Sequence, residues 1–75
     1  MMQLIFQHNN AFQCVNIGTD SIHLSLNDII QNQLNISSDK QDYYLSRLGR
    51  PISHDTNCCE MKNDSIIEIK YRLLG

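Results

Sequence analysis

The sequence lacks most of the features that mark a nucleic-acid binder or a membrane protein. It contains no tryptophan, one proline and three glycines among 75 residues, and its formal net charge is -2. Because the lysines and arginines are scattered and the pI is near 5.8, we expect no basic patch for a phosphate backbone and no direct nucleic-acid partner. The longest apolar runs, such as residues 4–6, fall far short of the roughly 20 residues of a membrane span.

The N-terminus also lacks the pattern of a secretory signal. Residues 1–3 carry no basic charge before the short apolar stretch that follows, whereas a signal peptide begins with a positively charged region. We therefore expect an intracellular protein with no membrane partner.

Cysteine is scarce and unsuitably spaced for cross-links. There are three cysteines, and Cys58 and Cys59 are neighbours, so a bridge between them would be strained and a disulfide framework is not expected. A zinc site built from Cys58, Cys59 and His54 is disfavoured because structural zinc sites use spacings such as C-x2-C. The sequence predicts reduced, half-buried thiols, solvated histidines, and neither metal nor cofactor.

Catalytic motifs are missing as well. The chain has no glycine-rich phosphate loop, no paired-carboxylate motif and no Ser-His-Asp arrangement in a recognisable context. Cys59 and His54 could form a dyad, but a nucleophilic cysteine also needs an orienting group and a cleft. A domain of 8.7 kDa offers little of either, so we expect no catalytic residue and no enzyme.

What is present suits one small folded domain. Hydrophobic residues make up 41% of the chain and charged residues 19%, which is ordinary for a globular domain. No linker, repeat or low-complexity tract divides the sequence. We expect a single monomeric domain over residues 1–75.

The first seventeen residues predict a β-hairpin. Apolar and polar residues alternate over residues 2–7, and residues 8–10 supply turn formers. The second strand contains two apolar pairs of opposite parity, and the sequence leaves open which pair faces the core. A β-bulge between them would let both do so. The pairs are Phe12 with Cys14 and Val15 with Ile17.

One helix follows. Four apolar residues recur at helical spacing, which predicts a stripe that faces the core. Ser25 is placed to cap the helix and Asp28 falls in its first turn, where the helix dipole favours negative charge. Asn35 suits a left-handed exit. The stripe consists of Leu26, Ile29, Ile30 and Leu34.

The remaining sequence predicts three more strands. Residues 43–45 are β-prone, Ile52 marks a brief second piece, residues 53–57 form a polar loop, and residues 65–74 alternate again. In the last strand, Ile67, Ile69 and Tyr71 are expected on one face. The economical arrangement is an α+β fold in which a mixed four- to five-stranded sheet packs on one helix and the last strand lies beside the first.

Three stretches of the sequence resemble ubiquitin and its relatives. Residues 2–5 are similar to the opening Met-Gln-Ile-Phe of ubiquitin, residues 35–41 to its Gly-Ile-Pro-Pro-Asp-Gln-Gln, and residues 71–75 to its closing Leu-Arg-Leu-Arg-Gly-Gly. These stretches include both ends and the middle of the chain. The resemblance implies the β-grasp (ubiquitin-like) fold, with residues 72–75 as an extended C-terminal tail.

Within that superfamily the chain is most similar to the N-terminal domain of the silencing-defective-two family of splicing and genome-maintenance factors. The similarity lies in residues 43–52, with their aromatic pair, and in residues 72–75. It implies a processing signal that deubiquitinating proteases cut after the C-terminal glycine motif, in a nuclear or cytoplasmic factor. A second relative of this kind is the ubiquitin-like leader of a small-subunit ribosomal protein.

The tail residues have a chemistry that suits such processing. A side chain on Gly75 would obstruct the narrow channel of a protease or ligase, Arg72 offers a fork to an acidic residue, and Leu73 and Leu74 offer apolar anchors. The alternatives are a free modifier that conjugation enzymes attach through its terminal glycine, and a purely non-covalent protein-binding domain whose tail is a linker.

The aromatic pair provides a candidate interaction surface. Tyr43 and Tyr44 alternate on a strand, so one faces the core and the other the solvent, and the sequence leaves open which. An exposed Tyr44 near Leu48 and Lys70 would be a suitable anchor for a protein partner, unless it merely covers the sheet. The resemblance places Lys70 where ubiquitin is apolar, so standard ubiquitin receptors are expected to bind weakly.

Overall fold

Two hairpins, one helix and a final strand build the domain, in a computed structural model that describes residues 2–34, 36 and 42–72. The strands join in the order β2-β1-β5-β3-β4, with β5 parallel to β1 and the other pairs antiparallel. The predicted mixed sheet, with its last strand beside the first, is therefore confirmed. The elements are β1 (Met2–His8), β2 (Ala11–Ile17), α1 (Leu26–Gln33), β3 (Tyr43–Arg47), β4 (Arg50–Ile52), a 3-10 helix (Cys58–Glu60) and β5 (Ser65–Tyr71).

The first hairpin is regular from end to end. Asn9 and Asn10 form its turn with φ angles of 50° and 62°, and the pairing continues unbroken from His8–Ala11 to Met2–Ile17. The bulge that would have let both apolar pairs face the core does not form, because a two-residue turn fixes the register and only one parity can face the core. Val15 and Ile17 are buried, whereas Phe12 and Cys14 are exposed.

The helix forms as its sequence predicts. The Ser25 hydroxyl accepts a hydrogen bond from the Asp28 N–H at 3.2 Å, which satisfies one of the free amides of the first turn. Three residues of the stripe are buried and Leu34 is half-buried at the C-cap, where its N–H donates to the Ile30 carbonyl. The predicted exit residue Asn35 lies outside the described residues. No helix in the described part of the chain is long and apolar enough to cross a membrane.

Tyr43 is the inner member of the aromatic pair. Its ring is fully buried, its hydroxyl donates to Asn27 Oδ1, and its burial, followed by the charge of Asp28, raises its pKa. His54 donates from Nε2 to the Tyr43 carbonyl at 2.8 Å, and the two ring centroids are 4.9 Å apart. The expectation of solvated histidines is therefore wrong for His54, which is half-buried against the core.

The last strand keeps its predicted alternation, but its final inner residue is only partly covered. Ile69 and Tyr71 pair with Leu45 and Tyr43 on the inner face. Ile67 and Ile69 are buried, whereas Tyr71 remains 39% exposed. The pairing of β5 with β1 stops at Glu68, and Tyr71 is flanked only by Tyr43 on β3. With one strand beside it, the ring has too few neighbours to be covered.

Candidate functional site

Tyr44 and Lys70 face each other on the outer face of the sheet, which we define as the face opposite α1. They are direct partners in the antiparallel pairing of β3 with β5. Because Tyr43 and Ile69 occupy the inner face, their neighbours point outward. Tyr44 is 43% exposed and Lys70 is exposed. The structure thus brings two of the three predicted surface residues together, and we call them the Tyr44–Lys70 pair.

Leu48, the third predicted surface residue, lies apart from this pair. It follows the end of β3 in the second hairpin turn, with φ 53° and an exposed fraction of 80%. Leu48 is four residue steps beyond Tyr44 along the chain, which in extended strand is a distance of about 13 Å. A partner would therefore need a broad contact to reach both Tyr44 and Leu48.

A cleft of about 250 Å³ lies beside Lys70 and gives this part of the surface some depth. It runs between the first hairpin turn and β5, so its walls are largely polar. His8 contributes a buried Nδ1 that has no hydrogen-bond partner among the described residues. We call it the hairpin-tip cleft, and its lining is Gln7, His8, Asn9, Asn10, Glu68, Ile69 and Lys70.

The apolar part of the outer face was missed by sequence reasoning. Cys14 pairs with Ile5, and Ile5 pairs with Ile66, so three strands contribute one short row. Ile66 is 45% exposed. The exposure of Ile66 could have been predicted from the sequence, since neighbouring residues of a strand point to opposite faces and Ile67 is expected to face the core.

The C-terminal tail is described only at its first residue. Arg72 is exposed, and its N–H donates to the Asp42 carbonyl at 2.9 Å, which holds the chain beside β3 at this point. Leu73, Leu74 and Gly75 lie outside the described residues. Their role in processing or conjugation stays a prediction.

The three thiols are free and differ in environment. Cys14 and Cys59 are exposed and Cys58 is buried. Burial, followed by the proximity of Cys59, raises the pKa of Cys58 to about 11, so this thiol stays protonated at neutral pH. Within the described residues, no group of three or more histidine, cysteine, aspartate or glutamate side chains could hold a metal ion.

Among the comparisons with known proteins, the one with solved structures shows the fold. No family model matches the sequence, and no curated protein matches it either. A solved structure described as "Crystal structure of ATBAG1 in complex with HSP70" matches with a TM-score of 0.70 and 15% identity, over 99% of this chain. The fold is the ubiquitin-like β-grasp.

The likeness to ATBAG1 concerns one part of that longer chain. The chain spans 42% of the ATBAG1 chain, and identity at this level establishes the fold alone. The predicted fold class is confirmed, whereas the relationship to the silencing-defective-two family stays a prediction.

Proposed function

We propose that this ubiquitin-like domain is a protein-interaction module that binds its partner through the Tyr44–Lys70 pair and the hairpin-tip cleft. The observation that carries the proposal is the direct pairing of an exposed tyrosine with an exposed lysine at the rim of a cleft that Lys70 also lines. Partly exposed tyrosines are frequent anchors of interfaces because they combine a large ring with a polar hydroxyl.

The chemistry of this surface predicts the character of the partner. Tyr44 offers an apolar ring and Lys70 a cation. A partner that places an acidic group beside an apolar side chain would match both. A receptor that requires apolar side chains throughout would have to bury the Lys70 charge, which is costly.

The structural neighbour supports a protein as the partner. The ATBAG1 structure, whose chain includes a region with this fold, contains HSP70 as well. A chaperone of this type is accordingly one partner to test.

The test is an interaction measurement with two surface variants. Purified domain is first used to enrich partners from cell extract and then titrated by calorimetry with each purified partner, HSP70 included. We expect Tyr44→Ala and Lys70→Glu each to weaken binding about tenfold or more. Phe12→Ala is the matched control, since it removes another exposed aromatic ring on the outer face. Equal loss from Phe12→Ala, or none from Tyr44→Ala, would overturn the proposal.

A second proposal concerns the tail. We propose that residues 72–75 are a cleavage site at which a deubiquitinating protease releases a downstream polypeptide, in an intracellular factor of the splicing and genome-maintenance type. The support is the resemblance of these residues to a processing motif, together with the exposure of Arg72 just after β5.

Cleavage can be tested with the full-length natural reading frame, tagged at both ends. We expect a broad deubiquitinase to cut just after the glycine motif and Gly75→Ala to prevent it. If both proteins stay whole, the processing proposal is wrong. A thioester with a ubiquitin-like activating enzyme, formed by the mature domain in an ATP-dependent reaction, would instead indicate a conjugated modifier.

A further inference from the structure

A second groove lies away from the Tyr44–Lys70 pair, between the second hairpin and the 3-10 helix. Its volume is about 320 Å³, at the low end of the roughly 300–1,000 Å³ of ligand pockets. We call it the basic groove. Its charged residues are Arg47, Arg50, Lys62 and Glu60, and its apolar lining includes Ile52 and Met61.

The groove has the opposite charge to the protein as a whole. Three cations and one carboxylate line it, which is a net charge of +2, while the chain carries -2. Three of the six lysines and arginines in the sequence therefore meet at one small surface. Such a concentration attracts an anionic group to this site and disfavours a cationic one.

Two of these cations are opposed to each other across the hairpin. Arg47 and Arg50 are direct cross-strand partners, and they share the face on which Leu45 pairs with Ile52. Like charges directly opposite in an antiparallel pair are destabilising. An anionic group placed between the two guanidinium groups would relieve this repulsion, so the unliganded hairpin is already arranged for such a group.

The carboxylate in the groove is already engaged elsewhere. Glu60 Oε2 accepts a hydrogen bond from the Asn57 N–H at 2.8 Å, and the Glu60 N–H donates to the Asn57 carbonyl. The bond to the Glu60 carboxylate is the half of a capping box in which the N3 side chain accepts from the N-cap N–H, and it holds the side chain at the start of the 3-10 helix. Glu60 therefore stabilises one wall of the groove.

We propose that the basic groove binds an acidic extended segment of a protein partner, with carboxylates at Arg47, Arg50 and Lys62 and an apolar side chain against Ile52 and Met61. Met61 is buried and Ile52 half-buried, so they form an apolar floor beside the half-buried Arg47 and the exposed Arg50 and Lys62. A nucleic acid fits less well, because the remainder of the chain is acidic and an apolar floor gives no advantage to a phosphate backbone.

The groove and the Tyr44–Lys70 pair lie on opposite faces of the sheet. Arg47 and Ile52 occupy inner-face positions of their strands, whereas Tyr44 and Lys70 occupy outer-face positions. One domain can accordingly bind two segments at once. This inference does not depend on the function proposed for the Tyr44–Lys70 pair.

The experiment is a titration of the ¹⁵N-labelled domain with a defined peptide. The probe is acetyl-Asp-Glu-Leu-Glu-Asp-amide, and its matched control is acetyl-Asn-Gln-Leu-Gln-Asn-amide. We expect the acidic peptide to shift the amide signals of Arg50, Ile52 and Lys62 and to bind more weakly as salt increases. Equal binding of the neutral peptide, or shifts confined to Tyr44 and Lys70, would overturn the proposal.

Charge-reversal variants test which cations of the basic groove contribute to peptide binding. Arg50→Glu and Lys62→Glu should each weaken acidic-peptide binding about tenfold. As a control, Asn16→Glu adds a negative charge at an exposed position of β2, at the opposite edge of the sheet from β4, and should leave peptide binding unchanged. Arg50→Glu and Lys62→Glu both leave the Tyr44–Lys70 pair intact. The two proposals can therefore fail independently. A single-stranded oligonucleotide that binds the groove more tightly than the acidic peptide would also overturn the inference.

Discussion

The two hairpins of the sheet have turns of the same length and backbone conformation but of different sequence. Each turns in two residues that both have positive φ, at Asn9 (50°) and Asn10 (62°) in the first hairpin and at Leu48 (53°) and Gly49 (77°) in the second. Asparagine tolerates this conformation, whereas leucine pays about 1–2 kcal/mol for it. The first turn is thus favoured by its own sequence and the second only in part.

The residue pairs that close the two turns also favour the first hairpin over the second. His8 and Ala11 close the first turn without a pair of like charges, while Arg47 and Arg50 close the second with two cations. The second hairpin nevertheless forms, because β3 also pairs with β5 and contributes the buried Tyr43 to the core. Backbone strain and like-charge pairs that the tertiary structure outweighs are common at functional sites. In this domain, the strained Leu48 and the Arg47–Arg50 pair lie next to or within the basic groove.

The largest effect should come from the residue that makes the second turn possible. We expect Gly49→Ala to lower the free energy of unfolding by about 1–2 kcal/mol, measured by urea denaturation. An added Cβ would meet no atom within 4 Å, so the loss would come from the backbone conformation. Gly18→Ala is the control, because Gly18 also has open space around it but no positive φ. Equal effects at the two glycines would contradict this account of the turn.

A smaller effect, of opposite sign, should follow from giving the second turn the residue type of the first. We expect Leu48→Asn to raise the free energy of unfolding by about 0.5–1 kcal/mol, since asparagine enters the left-handed region more readily and Leu48 is 80% exposed, with little packing to lose. The reciprocal change Asn9→Leu should destabilise the first hairpin by a similar amount. If both variants match the parent in urea denaturation, the comparison of the turns is wrong.

The smallest effect should come from the charges. Arg50→Glu turns a like-charge pair into an opposite-charge pair and should add about 0.2–1 kcal/mol of stability, while it weakens binding in the basic groove. The gain should shrink in high salt because exposed charges are screened. Lys62 lies outside the strands and has no cross-strand partner, so Lys62→Glu should change the free energy of unfolding less than Arg50→Glu. A gain that is independent of salt would indicate a cause other than charge.

Much of the fold could be predicted from the sequence because its signals are local. The hairpin alternation, the helical stripe and the Ser25 cap each depend on residues within one turn or one strand. The 3-10 helix was not predicted, since three residues carry no periodicity, and its position depends on bonds from Cys58 and Cys59 to the carbonyls of Leu24 and Ile22. These contacts join segments that are far apart in the sequence.

The candidate sites were less predictable for a related reason. The sequence left open which tyrosine of the pair is exposed, because only the pairing of β3 with β5 fixes the inner face. The basic groove joins Arg50 with Lys62, and neither forms a motif. Residues that meet only through the sheet give no signal along the chain.

The different exposure of the adjacent thiols of Cys58 and Cys59 makes the opening rate of the 3-10 helix measurable. Cys58 is fully buried and Cys59 is exposed, although one peptide bond separates them. An alkylating reagent should modify the exposed Cys14 and Cys59 at once. Cys58 should react only when this segment opens and its N–H leaves the Leu24 carbonyl, to which it donates at 2.9 Å. The delay between modification of Cys59 and of Cys58 would report how often the segment detaches from the helix side of the domain.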